Sequence, residues 1–180
     1  MSIKEHKAKG SKKAKIAIVS LTDTRNTDED VSGKLAVNAL ENAGHTIIDR
    51  IVIPDDELIL TWSLRDLASK IDIAILIGGT GIAKKDITTD MLKRLFQKEL
   101  SGFGELFRFL SYSEVGSPAM LSRSSAGIFM GMIVFSLPGS TKAVKLALDK
   151  LILPEIGHII YELNKHKDNH ERKHNRKQIG

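Results

Sequence analysis

The sequence contains no cysteine among its 180 residues, which excludes disulfide bonds, thiolate nucleophiles and zinc sites built on cysteine. It also has no apolar run long enough to span a membrane, and no apolar leader segment follows its lysine-rich start. We therefore predict a protein that works in the cytoplasm, with no membrane partner. Hydrophobic residues make up 42% and charged residues 27% of the chain, as in globular domains that bury a sizeable core.

The positive charge of the chain is concentrated at its two ends. The whole chain carries +5, but residues 1–15 carry +5 and residues 165–180 carry +4, so residues 16–164 carry −4. Lysine-rich ends are typical of solvated segments without fixed structure, and no aromatic platform for stacking bases accompanies these lysines. We predict disordered basic tails over 1–13 and 165–180 and one domain over 14–164, and we do not expect nucleic-acid binding.

Between the tails, apolar strand patterns alternate with amphipathic helix patterns. Strands are predicted over 15–21, 46–53 and 71–77, and a strand or hairpin over 126–137 with a break at Gly131. Helices are predicted over 32–43, 56–69, 88–97, 103–113, 140–151 and 155–165, with Ser32 as the cap of the first. This alternation predicts an α/β fold, in which helices cover both faces of a mainly parallel sheet.

The most informative segment follows the third predicted strand. A β-branched apolar run ends in Gly78, Gly79, Thr80 and Gly81, and Asp86 follows shortly after. Glycine permits positive φ angles and lets a ligand approach the main chain closely. The loop is not a Walker motif, because no Gly-Lys-Ser/Thr sequence follows at the required spacing. Backbone amides, a hydroxyl and a nearby carboxylate together suit an anionic ligand with a metal ion beside it.

Ligands of parallel α/β sheets bind beyond the carboxyl ends of the strands, and four such loops carry polar residues here. The loops are Thr22-Asp23, Pro54-Asp55-Asp56, Gly78–Asp86 and Pro138-Gly139-Ser140-Thr141-Lys142. In the fourth loop, a helix start with two hydroxyls and a lysine can seat a phosphate, or Ser140 is an ordinary cap after a Pro-Gly turn.

The carboxylates after the second and third strands have two interpretations. Acidic residues are favoured at a helix N-terminus, which accounts for Asp55 and Asp56 without any ligand. Alternatively, Asp55 and Asp86 converge on one Mg²⁺, because magnesium is usually held by one or two carboxylates together with water and substrate phosphates. The second interpretation is the arrangement that phosphoryl or nucleotidyl transfer requires.

The ordered motifs of the chain resemble those of the MoaB/MogA family of molybdenum cofactor biosynthesis. The resemblance covers roughly residues 14–163 and is closer to the MoaB branch. The matching segments are Gly78–Gly81 with Asp86-Ile87-Thr88, Gly102-Phe103-Gly104-Glu105, Ser122-Arg123, Pro138–Ala143 and the acidic run Asp28–Gly33.

The resemblance implies a three-layer α/β/α sandwich that assembles as trimers or hexamers and adenylylates molybdopterin. ATP and molybdopterin would be the substrates and Mg²⁺ the cofactor, and pyrophosphate would leave. By matching positions, Asp55 and Asp86 would be the essential acidic pair and metal ligands. Gly78–Gly81 would be the loop against the bound pterin and nucleotide.

Other site residues are predicted from charge and position. Candidate counter-charges for the two polyanionic substrates are Lys84, Lys85, Arg123 and Lys142, and the Gly139–Thr141 backbone can add N–H donors. Weaker candidates for nucleotide or pterin contacts are Thr22, Asp23, Ser32 and Gly33. A molybdopterin-binding or carrier protein of the same fold, without adenylyltransferase activity, is the alternative.

Overall fold

The computed structural model describes residues 13–23 and 26–165, which form a six-stranded sheet covered by helices. The strands are β1 (Lys15–Leu21), β2 (Thr46–Ile53), β3 (Ile73–Ile77), β4 (Lys98–Glu99), β5 (Ser125–Phe129) and β6 (Met132–Leu137). The helices are α1 (Val31–Asn42), α2 (Glu57–Leu67), α3 (Thr88–Leu95), α4 (Ser101–Val115), α5 (Thr141–Ala147) and α6 (Ile156–Asn164). A 3₁₀ turn over Ser117–Leu121 follows α4, and a π-helical turn over Leu148–Ile152 extends α5. Apart from Lys13 and Lys165, the predicted tails lie outside the described residues.

The strand order is β2–β1–β3–β6–β5–β4, and the first four strands are mutually parallel. β5 runs antiparallel to β6, and β4 runs antiparallel to β5. The predicted mainly parallel sheet is thus confirmed. Because β1 lies between β2 and β3, the connections leaving β1 and β3 diverge and open a crevice beyond the carboxyl ends of these strands.

Each face of the sheet is buried by its own layer of helices. On one face, side chains such as Ile75 and Phe135 pack in a core with α1, α4, α5 and α6. On the other face, Leu76 packs with Leu60 of α2 and Leu92 of α3. Since strand side chains alternate between two apolar layers, β3 is buried along its whole length. The three-layer α/β/α sandwich is confirmed.

The predicted break at Gly131 is confirmed as a tight hairpin. Met130 and Gly131 join β5 to β6 with φ angles of 47° and 82°. Two successive positive φ angles are typical of the hairpin turns that match the twist of the flanking strands.

The predicted cap of the first helix was wrong. Asp30 caps α1, since its buried carboxylate accepts a hydrogen bond from the Gly33 backbone N–H at 2.9 Å. Ser20 donates to the same carboxylate at 2.7 Å, and Arg50 pairs with it at 3.3 Å. These partners fix Asp30 as the cap and leave Ser32 in the first turn, where its hydroxyl is available for other contacts.

Other element boundaries also differ from the prediction by a few residues. The helix predicted over 103–113 begins earlier, at Ser101, so Gly102 and Gly104 lie inside its first turn. The two-residue strand β4 was not predicted, because two residues are too short to show an alternating pattern. No helix within residues 13–23 and 26–165 is both long and apolar enough to cross a membrane.

Candidate functional site

The loops after β1, β2, β3 and β6 meet at the carboxyl end of the sheet. The Thr22 N–H donates to the Ile53 carbonyl at 2.9 Å, and the Gly78 N–H donates to the Leu137 carbonyl at 2.9 Å. Gly78 has a φ of 117°, and a Cβ added there would clash with the carbonyl oxygen of Leu21. The four predicted ligand-facing loops therefore lie side by side, and the close approach at Gly78 requires glycine.

Gly79 forms the floor of a small polar cradle. Its φ is 63°, and a Cβ added there would collide with the Thr88 hydroxyl and lie 3.1 Å from Oδ1 of Asp55. Both oxygens are buried, and neither has a hydrogen-bond partner among the described residues. Buried oxygens of native proteins are nearly always paired, so two unpaired oxygens facing one glycine indicate a place for a third group.

The carboxylate of Asp55 lies in an unfavourable electrostatic environment. Burial, together with the negative charges of Asp23 and Asp86, raises its pKa above the ordinary value of 3.8. Asp86 is therefore near enough to act on Asp55, and the convergence of the two carboxylates on one Mg²⁺ stays a prediction. A cation in this position would relieve the repulsion.

Asp23 connects Asp55 to a lysine of the glycine loop. Its Oδ1 accepts a hydrogen bond from the Asp55 N–H at 3.3 Å, and its Oδ2 lies 2.6 Å from Nζ of Lys85. The hydrogen bond from Lys85 holds the pKa of Asp23 below its usual value, and the pKa of Lys85 is raised in return. Lys85 is therefore paired with a carboxylate, although it is exposed, as is Lys84 beside it.

Arg123 ties the two ends of the segment between Gly81 and Asp86 together. Its guanidinium donates to the Gly81 carbonyl at 2.7 Å and to the Asp86 carbonyl at 2.6 Å, and it binds the carboxylate of Asp90 through Nη1. Its backbone N–H donates to the carbonyl of buried Thr80 at 2.9 Å. In this arrangement Arg123 positions the loop that carries Asp86, and its predicted role as a counter-charge for phosphate stays a prediction.

The carboxylate of Asp86 faces back onto its own loop. Its Oδ2 accepts a hydrogen bond from the Ala83 N–H at 2.8 Å. A Cβ added to Gly81 would lie 2.8 Å from the same oxygen, so glycine leaves room for the carboxylate at this position.

The loop after β6 joins the start of α1. The Ser32 hydroxyl donates to the Gly139 carbonyl at 2.8 Å and lies 3.2 Å from the Thr141 hydroxyl. Ser140 caps α5, because its side chain accepts from the Ala143 N–H at 3.2 Å. The ordinary capping role of Ser140 is thus confirmed, and a phosphate contact in the same loop stays a prediction.

Two cavities flank the α4 side of this region. One, of about 500 Å³, is lined by Ser140, Thr141 and Lys142 together with residues of α4 and the 3₁₀ turn. The other, of about 340 Å³, is polar, and its lining includes Lys93, Arg108, Arg123, Ser122, Ser124 and Ser125. Both cavities have room for parts of a substrate. Gly33, a weaker candidate for a ligand contact, is packed against Asp30 and serves the capping of α1.

The residues of the cradle fit a magnesium ion. The described part of the chain holds no group of three or more histidine, aspartate or glutamate side chains arranged to bind a metal. Magnesium does not require such a group, since one or two carboxylates with water and phosphate oxygens usually hold it. The unpaired Oδ1 of Asp55, with Asp86 near it, supplies the hard oxygen ligands that this ion prefers.

Three residues of the site were missed by the sequence reasoning. Asp30 and Asp90 hold α1 and Arg123 in place, and Thr88 faces the cradle. Asp30 and Thr88 lie within two segments that carry the family resemblance, Asp28–Gly33 and Asp86-Ile87-Thr88, but the resemblance assigned neither of them a role. The ion pairs of Asp30 with Arg50 and of Asp90 with Arg123 could not have been predicted, because the partners are far apart in the sequence.

Comparisons with known proteins identify relatives of this domain. Residues 17–158 match the family described as a probable molybdopterin binding domain. The molybdenum cofactor biosynthesis protein B of Bacillus subtilis (strain 168) is 44% identical over 170 residues, which covers 93% of this chain and all of that protein.

Solved structures give the same result. The crystal structure of a molybdenum cofactor biosynthesis protein B is 43% identical and superposes with a TM-score of 0.83, covering 86% of this chain and 98% of the other. The tungsten cofactor synthesizing protein MoaB from Pyrococcus furiosus is 38% identical with a TM-score of 0.78, covering 84% and 98%.

Proposed function

This chain belongs to the molybdopterin-binding family of molybdenum and tungsten cofactor biosynthesis, and we propose that it adenylylates molybdopterin with ATP in a Mg²⁺-dependent reaction. A terminal phosphate oxygen of molybdopterin attacks the α-phosphorus of ATP and forms a new P–O bond. The bond from the α-phosphorus to the bridging oxygen breaks, and pyrophosphate leaves with that electron pair. The products are adenylylated molybdopterin and pyrophosphate, and we place the reaction in the cytoplasm.

The observation that carries the proposal is the cradle at Gly79. The attacking phosphate is already an oxyanion, so the reaction needs positioning and charge neutralisation more than a strong base. The cradle combines a glycine that admits close approach, a carboxylate oxygen without a hydrogen-bond partner and a second carboxylate nearby. When bound, Mg²⁺ would neutralise the phosphate charges of the two substrates.

The protein groups hold the substrates and shape the site. Asp55 and Asp86 would hold the cation. Asp23 orients Asp55 by accepting a hydrogen bond from the Asp55 backbone N–H. Arg123 keeps the Gly81–Asp86 loop in place through two carbonyl oxygens. Lys84 and Lys142, both exposed near the crevice, supply positive charge to the phosphates.

Pyrophosphate release is the test of this proposal. We expect the purified protein to release pyrophosphate only when molybdopterin, ATP and Mg²⁺ are all present, and the product to carry the label of [α-³²P]ATP. Omission of each component in turn is the control. Tight molybdopterin binding without any pyrophosphate release would contradict adenylyl transfer.

That negative outcome would favour a molybdopterin-binding or carrier protein of the same fold. One observation points in this direction. Lys85 and Arg123, two of the predicted counter-charges, are already paired with Asp23 and Asp90, which leaves fewer positive groups for ATP.

We further propose that the protein is a homo-oligomer, a trimer or a hexamer, built through the exposed face of α4. This α4 face consists of Leu106, Phe109, Tyr112 and Val115 together with Met120 and Leu121 of the 3₁₀ turn. Phe109 is 71% exposed and Met120 is 77% exposed. Soluble monomers rarely expose so continuous an apolar patch, and a second copy of the chain would bury it.

Phe109→Glu is expected to shift the assembly to monomers, because it places a charge inside the apolar contact. Size-exclusion chromatography with light scattering measures the mass. Trp62→Glu is the matched control, since Trp62 is 73% exposed but lies on α2, on the opposite face of the sheet. Dissociation by Trp62→Glu alone would move the interface to that face.

A further inference from the structure

Two adjacent buried threonines at the start of α3 differ in their hydrogen bonds. The Thr89 hydroxyl donates to the Arg123 carbonyl at 3.0 Å. The Thr88 side chain is fully buried, but within the described residues its hydroxyl has no hydrogen-bond partner. A buried hydroxyl without a partner is destabilising, and valine would fill the same volume without that cost.

The unpaired hydroxyl is held in a fixed position. The Thr88 N–H donates to the Gly79 carbonyl at 3.2 Å, which anchors the start of α3 against the glycine loop. From there the Thr88 hydroxyl faces the point where a Gly79 side chain would stand, and Oδ1 of Asp55 borders the same point. Two unpaired oxygens from different elements, a carboxylate and a hydroxyl, thus lie close to the same glycine.

We propose that Thr88 supplies a neutral oxygen ligand, beside Asp55, to the divalent cation of this site. The inference rests on the proposed Mg²⁺-dependent function and adds a residue to it. Magnesium prefers oxygen ligands and keeps part of its water shell, so one hydroxyl and one carboxylate from the protein, completed by water, suit this ion. A neutral oxygen adds no further negative charge to a site in which Asp23 and Asp86 already repel Asp55.

The test compares Thr88→Val, Thr88→Ser and Thr89→Val with the unchanged protein, without any turnover. Thermal unfolding is followed across a Mg²⁺ titration, and Mn²⁺ binding is counted in parallel by electron paramagnetic resonance. We expect Thr88→Val to leave the melting temperature without metal unchanged or higher and to weaken Mg²⁺ binding about 10-fold or more. Thr88→Ser keeps the hydroxyl and should bind Mg²⁺ as the unchanged protein does.

Thr89→Val separates a metal role from a packing role. It removes a hydroxyl that has a protein partner, so the melting temperature without metal should fall by roughly 2–4 °C while Mg²⁺ affinity stays the same. Equal Mg²⁺ midpoints for Thr88→Val and the unchanged protein would overturn the proposal, as would weaker ATP binding with an unchanged Mg²⁺ midpoint.

The same data distinguish this inference from the function on which it rests. A protein that binds Mg²⁺ through Thr88 but releases no pyrophosphate would contradict the proposed activity and leave this inference intact. An active enzyme whose Mg²⁺ affinity does not depend on the Thr88 hydroxyl would contradict this inference and leave the proposed activity intact.

Discussion

Asp55→Asn and Asp86→Asn are each expected to reduce pyrophosphate release by about 100- to 1000-fold. Asparagine preserves the shape of the side chain but removes the charge that would hold the cation against two polyanionic substrates. The lost carboxylate charge would hold the cation that neutralises the phosphates during the transfer. The reduction in activity should therefore appear in kcat more than in the KM for molybdopterin. Steady-state kinetics at varied Mg²⁺ concentrations measure kcat and this KM for each variant.

Asp56→Asn is the matched control for the first of these variants. Asp56 lies one residue away in the same loop and is exposed, and its side chain caps α2 by accepting from the Ile59 N–H at 2.9 Å. Asparagine caps a helix about as well as aspartate, so this variant loses the same charge without losing the fold. Similar activity losses in Asp55→Asn and Asp56→Asn would mean that net charge, and not a metal site, matters here.

The raised pKa of Asp55 adds a prediction about stability to the same variant. Between its unfolded value near 3.8 and its higher folded value, the folded state binds more protons than the unfolded state. Stability contributed by this group therefore falls as pH rises through that window, and the ionised carboxylate is a cost at neutral pH. Without Mg²⁺, we expect Asp55→Asn to melt at a higher temperature than the unchanged protein at pH 7. The difference should shrink toward pH 3.

Patterns that depend on local sequence predicted much of the fold. Apolar runs that end in glycine or proline gave the strands and the loops at their carboxyl ends. The Gly78–Gly81 loop could be identified because glycine clusters have few structural uses. The Met130-Gly131 turn was predictable for a similar reason, since one glycine interrupts an otherwise continuous strand pattern.

Contacts between distant residues could not be predicted in the same way. Arg123 lies 42 residues from Gly81, whose carbonyl it binds, and Lys85 lies 62 residues from its partner Asp23. From sequence both appear as spare positive charges near a phosphate site. Only the fold shows that their charges are already paired, because ion pairs of this kind depend on side chains meeting in space and leave no local pattern.

The cap of α1 shows how a strong local pattern can fail. Serine and aspartate are equally good caps, so the sequence Asp30-Val31-Ser32 offers two starting points. The choice of Asp30 depends on Ser20 from β1 and Arg50 from β2, which reach its carboxylate. Tertiary contacts therefore decided a boundary that propensity left undecided.

Gly79→Ala is expected to abolish Mg²⁺ binding and reduce adenylyl transfer about 100-fold or more, while the protein still folds. The added methyl group would collide with the Thr88 hydroxyl and crowd Oδ1 of Asp55, so it occupies the space of the cradle. The backbone cost is moderate, because a non-glycine residue at a φ of 63° loses about 1–2 kcal/mol. That cost lowers the melting temperature by roughly 2–8 °C.

Gly44→Ala provides the comparison that separates backbone strain from a filled cradle. Gly44 also has a positive φ, of 87°, but a Cβ there would meet no atom within 4 Å. It precedes β2 and so lies at the amino end of the parallel strands, away from the crevice. Gly44→Ala should therefore show the cost of backbone strain alone, whereas Gly79→Ala should lose more stability, because its methyl group must also displace the Thr88 hydroxyl, and should alone lose Mg²⁺ binding. If calorimetric titration finds Mg²⁺ bound equally well by both, the space at Gly79 is not a cation site, and the two unpaired oxygens that border it serve another purpose.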